Sequence, residues 1–183
     1  MIPELVPIVE KLRSRTETGR ISLEFPAAET IHVIPSGEDT FPITVGFESD
    51  RYEVGASRWH AHFDKVEQAF AVICWLLTPY YRIVRSQRGE KLIATWLEIY
   101  RDEGWDESNA VYFVDPTTLD SPVDGADEIF IRQQAVFLDS AFATYYPSAP
   151  LDAAGYPIGT ILGETKYENR NGEWHPVGVP VAE

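Results

Sequence analysis

Residues 58–79 read "RWHAHFDKVEQAFAVICWLLTP". In an extended strand, successive side chains alternate between faces. Trp59, Ala61 and Phe63 then share one face, and His60 and His62 the other. The aromatic–small–aromatic face suits a core, and the histidines belong on the outer side. From Lys65 the period changes. Val66, Phe70, Ile73 and Leu77 fall on one side of a helix, and Thr78-Pro79 stops it. Asp64 followed by Glu67 matches a capping box, in which each side chain satisfies an orphan N–H of the first turn. The stretch therefore predicts a strand feeding a helix. Residues 69–77, "AFAVICWLL", are apolar on nearly every side, which requires either deep burial or a subunit contact.

Upstream, Leu5, Ile8, Val9 and Leu12 repeat at helical spacing, with Glu4 early and Lys11, Arg13 and Arg15 late. That charge order suits the helix dipole, so a helix is expected from Pro3 to Thr16, ended by Gly19. Four strand-like runs follow, "RISLEF", "ETIHVI", "FPITVGFE" and "RYEVGAS", separated by Pro26, by Pro35-Ser36-Gly37 and by Ser49-Asp50. Downstream, "YYRIVRSQ" and "KLIATWLEIY" flank Arg88-Gly89-Glu90 as a hairpin. Residues 101–128 are acidic and rich in turn formers, with one strand-like island at 110–114. Residues 128–138 suit strand or helix equally. Residues 147–183 carry Pro147, Pro150, Gly155, Pro157 and Gly159, and read as an extended tail wrapped on the body. Asn171-Gly172 marks a terminal hairpin. The expected architecture is a single α+β domain over residues 1–183, with helices packed on one face of a mostly antiparallel sheet.

The 183 residues are 44% hydrophobic and 13% aromatic, the composition of a folded chain. Cys74 is the lone cysteine, set in an apolar run where it acts as a small hydrophobe. No apolar stretch approaches the roughly 20 residues of a membrane span, and no secretion signal is read. The expectation is a cytoplasmic protein without a cofactor.

Charge is distributed unevenly. The net charge is −14, and residues 98–139 alone hold 11 acids against Arg101 and Arg132. This sign argues against nucleic acid as a direct ligand. It suits either a solvated loop or a docking surface for a basic protein partner. The candidate partner-binding residues are Asp102, Glu103, Trp105, Asp106, Glu107, Asp115, Asp120, Asp124, Asp127 and Glu128. Trp105, Tyr112 and Phe113 could anchor such a contact or pack onto the sheet.

His60-x-His62 also aims two imidazoles into one space, an arrangement that suits a divalent metal. No nucleophile elbow, phosphate-binding loop or dinucleotide fingerprint is present. Catalytic residues are therefore not assigned.

Two resemblances bear on function. With "WHAHFD", an apolar helix and "YYRIVRSQRGEKLIATWLEI", residues 41–100 resemble small cytoplasmic immunity proteins of bacterial toxin–immunity systems. That resemblance implies a non-catalytic α+β inhibitor that occludes a toxin domain, such as a basic nuclease. His60, His62 and Glu67 resemble the first motif of the cupins, which implies a metal-dependent β-barrel enzyme as the alternative. The chain departs from that motif at Cys74, where cupins carry glycine, and at Leu162, where they carry the last histidine.

Overall fold

The computed structural model describes residues 1–16, 19–37, 40–101, 104–112, 127–132, 163–170 and 173–177. A single 3-10 turn, Pro3–Leu5, leads into α1, Val6–Thr16, with proline at its start where a missing N–H costs nothing. Leu5, Ile8, Val9 and Leu12 are all buried, as their spacing predicts. Gly19 closes the helix at φ +68°, its N–H donating to the Thr16 carbonyl at 2.9 Å.

Five strands follow in an antiparallel meander: β1 (Ile21–Ala27), β2 (Thr30–Pro35), β3 (Ile43–Glu48), β4 (Arg51–Ala56) and β5 (Trp59–Phe63). Register sets Val33, Ile43, Ala56 and Trp59 in one row, and Ile31, Val45, Val54 and Ala61 in another. All of these but Ala61 are buried, and Ala61 packs against the same cluster. Pro26, expected to separate strands, lies inside β1 beside a register irregularity between Glu24 and Ala27. β1 is an edge strand, where proline removes no ladder hydrogen bond.

The hairpins joining β3–β4 and β4–β5 have two-residue loops, Ser49-Asp50 and Ser57-Arg58. All four residues take positive φ, between 48° and 71°. Strand twist favours this type I′ geometry, although each non-glycine residue there is strained. Replacing Ser57-Arg58 by Asn-Gly is expected to stabilise the fold by about 1 kcal/mol, read as a higher urea midpoint with an unchanged slope. No gain would mean that these side chains compensate their own strain.

α2 spans Val66–Leu76. Its N-cap is Lys65, without a side-chain cap, so the Asp64–Glu67 capping box does not form. Asp64 Oδ1 instead accepts from Arg51 Nε at 2.9 Å across the sheet edge. The cross-strand guanidinium offers a charge-assisted bond that outcompetes the backbone N–H. Ala69, Val72, Ile73, Cys74 and Leu76 are buried. The helix packs against α1, β4, β5 and β6, while Val66, Phe70 and Trp75 are half-buried at the margin of the same core.

The remaining strands are β6 (Tyr81–Arg88), β7 (Lys91–Arg101), β8 (Gly104–Tyr112), β9 (Asp127–Arg132), β10 (Gly163–Arg170) and β11 (Glu173–Pro176). They form a second antiparallel sheet in the order β11-β10-β9-β6-β7-β8. The strands therefore divide between two sheets, where one was expected. The cause is α2, which interrupts the hairpin sequence and carries the chain away before β6 begins.

Residues 104–112, expected to be mostly acidic loop, form a long strand because β7 provides a ladder for them. Pairing overrides the weak strand propensity of Asp, Glu, Ser and Asn. Residues 128–132 belong to strand β9, while 133–138 lie outside the described residues. In the tail, β10 pairs with β9 and β11 with β10, Arg170 standing opposite Glu173 across positions 171–172. Residues 147–162 lie outside the described residues.

One buried cluster joins both helices and the first sheet to Tyr81, Ile83, Leu97, Ile99 and Tyr100 of the second. Among the described residues, no helix is long and apolar enough to cross a membrane.

Candidate functional site

Two regions concentrate the chemistry-bearing side chains. The first is the outer face of β4–β5. Trp59 is buried, His60 is half-buried and His62 is exposed, so the alternation of the opening stretch is realised. The two imidazole centroids stand 5.6 Å apart at 89°. β4 sets Glu53 opposite His62, and Glu53 Oε2 lies 3.2 Å from His62 Nε2. Glu67 is elsewhere, exposed in the first turn of α2, because the chain has turned from strand to helix between the two. Among the described residues, no group of three His, Cys, Asp or Glu side chains forms a cage for a metal ion. Beside the histidines, Glu48, Ser49, Arg51, Glu53 and His62 line a shallow hollow.

The second region is β8 and the strand it pairs with. Among the described residues β8 lies at the edge of the second sheet, and register sets Trp105 opposite Tyr100, Asp106 opposite Ile99 and Glu107 opposite Glu98. Asp106 and Glu107 are exposed, and Trp105 is half-buried. The indole of Trp105 meets Tyr100 edge to face at 5.2 Å and lies under the Arg82 guanidinium, 4.2 Å from the ring centroid. Arg82 is held by Glu98, with Nε and a terminal nitrogen both 2.6 Å from Glu98 Oε2. Trp96 Nε1 donates to the other carboxylate oxygen at 3.0 Å. Both ionic side chains are largely buried, at 11% and 13% exposure. The carboxylate thus has both oxygens satisfied, as burial demands. On the same face of the sheet, burial raises the Tyr167 phenol above its usual pKa, and the Arg82 charge works against that shift.

Of the other residues read from the sequence as partner-binding, Asp102, Glu103, Asp115, Asp120 and Asp124 lie outside the described residues. Asp127 and Glu128 begin β9, which is separated from β8 by β6 and β7. At about 4.8 Å per strand, that places them roughly 14 Å across the sheet from Asp106 and Glu107. The described acids therefore occupy two places on the second sheet.

Arg82, Trp96, Glu98 and Glu53 escape sequence reading. Their one visible signal is the pair of hairpins that brings Arg82 near Glu98 and Glu53 near His62. Naming the partner also requires the register.

No protein-family model matches the chain, and neither the curated proteins nor the solved structures contain a match to it.

Proposed function

We propose that this chain is a non-catalytic acidic binding protein of the immunity type, acting in the cytoplasm. It neutralises a basic partner, such as a toxin nuclease domain, by covering its cationic cleft. The observation that carries the reading is β8: at the edge of the described sheet, Glu107 is exposed on the face of a tryptophan braced by Arg82 and Tyr100, and Asp106 is exposed on the other face. Nucleases that bind phosphate present clustered cations, and a carboxylate surface accelerates encounter with such a cleft. A braced indole offers apolar contact area at little entropic cost on binding. Asp102 and Glu103 adjoin this strand in sequence and extend its charge. Asp115, Asp120, Asp124, Asp127 and Glu128 add to the same acidic segment.

The test is affinity capture at low salt, followed by binding measurements on the partner recovered. Changing Asp102, Glu103, Asp106 and Glu107 together to lysine is expected to weaken binding by about 100-fold at low salt. The variant should also lose most of the salt dependence. Equal affinity and an equal salt slope for the two proteins would sink the electrostatic mechanism.

A further inference from the structure

The geometry points to a metal-chelating site at His60 and His62 that takes a late divalent transition-metal ion, copper(II) most tightly and zinc(II) after it. Residues i and i+2 of a strand have Cα atoms about 6.6 Å apart, and their side chains rise on the same face. Here the ring centroids close to 5.6 Å, so the two imidazoles lean toward each other. With metal–nitrogen bonds of about 2.0–2.1 Å, two imidazoles on one ion have centroids about 5–6 Å apart. The observed spacing already matches.

The neighbours on β4 complete the arrangement. Gly55 stands opposite His60 and Glu53 opposite His62. A Cβ on Gly55 would press on the Trp59 carbonyl oxygen at 3.3 Å and approach the His60 Cβ at 3.6 Å. Glycine therefore lets the β4 backbone lie close to the Trp59 carbonyl at the foot of His60. Glu53 Oε2 lies 3.2 Å from His62 Nε2, and an N–H donated there would leave Nδ1 with its lone pair for a metal. A carboxylate behind a ligating histidine orients the ring and raises its basicity. Glu53 is thus a positioning residue, and the two histidines are the ligands.

Since no third ligand converges among the described residues, the chelate is bidentate, with water completing the coordination. Copper(II) ranks first because imidazole sites follow the general affinity order of the divalent series.

The experiment is calorimetric titration of the EDTA-stripped chain with copper(II) and then zinc(II). One ion per chain is expected, with copper(II) the tighter. His60→Ala and His62→Ala should each weaken binding at least roughly tenfold, and Glu53→Gln by about tenfold. The Glu53→Gln loss should come with an unchanged thermal midpoint, which separates positioning from a structural role. Zinc(II) titration of the unsubstituted chain, followed by imidazole NMR, needs no variant. Shifts confined to His60 and His62 support the site. Shifts at His32 or His175 instead, or full affinity retained in either alanine variant, overturn it.

Discussion

Replacing Glu98 with alanine is expected to destabilise the protein by about 3–5 kcal/mol, the usual cost of stranding one half of a buried ion pair. The carboxylate accepts from Arg82 on one oxygen and from the Trp96 indole on the other, and both ionic side chains are nearly nine-tenths buried. Removing it takes the Glu98 charge away from the guanidinium and the carboxylate acceptor away from the Trp96 indole N–H. The Arg82 head would also lose its support over Trp105, loosening the edge strand that carries Asp106 and Glu107. Urea denaturation measures the loss. A double variant, Arg82→Met with Glu98→Leu, removes both charges and fills similar volume, so it should cost much less than the single change. If Glu98→Ala costs under about 1 kcal/mol, water reaches the pair and it behaves like a surface one.

Trp59→Ala should be comparably damaging, again about 3–5 kcal/mol, from lost transfer energy and the cavity left behind. Trp59 is 1% exposed and shares a row with Ala56, Ile43 and Val33. It begins β5, which touches β7 and β8 of the second sheet. A cavity there opens the seam between the sheets and undermines both. At about 2–4 °C per kcal/mol for a chain of this size, the thermal midpoint should fall by roughly 6–20 °C. Trp59→Phe keeps an aromatic filler and should lose less. Equal losses in the two variants would mean that the indole's extra volume sets the packing.

The two predictions differ in how much of their basis is legible in the chain. Trp59 is placed in the core by alternation alone, since Trp59, Ala61 and Phe63 share a face whatever the strand pairs with. The Glu98 pair is not. Counting back from Arg88 opposite Lys91, an unbroken hairpin would set Arg82 opposite Leu97. The register shift between Ser86 and Gln87 moves every later pair by one and sets Arg82 opposite Glu98. A one-residue slip exchanges the two faces of a strand, so this bulge decides whether the ion pair exists.

The histidine face shows the same division. The sequence places His60 and His62 on one side of β5, but Glu53 reaches His62 only through the β4–β5 hairpin. That hairpin turns on Ser57-Arg58, two residues with no compositional mark of a type I′ loop. The Asp64–Glu67 box illustrates the opposite error. The local spacing suits a cap, but an arginine from the neighbouring strand claims the carboxylate.

By itself, then, the sequence determined α1 and α2, the early strands, the β6–β7 hairpin and the inward face of β5. These rest on periodicity and turn chemistry, which act over a few residues. Only the tertiary structure decided that the strands of the described residues split into two sheets. It also decided that the acidic segment 104–112 becomes the edge strand β8, and which acids meet which bases. Those outcomes depend on partners remote along the chain and on bulges that reset register, and neither leaves a local trace in composition.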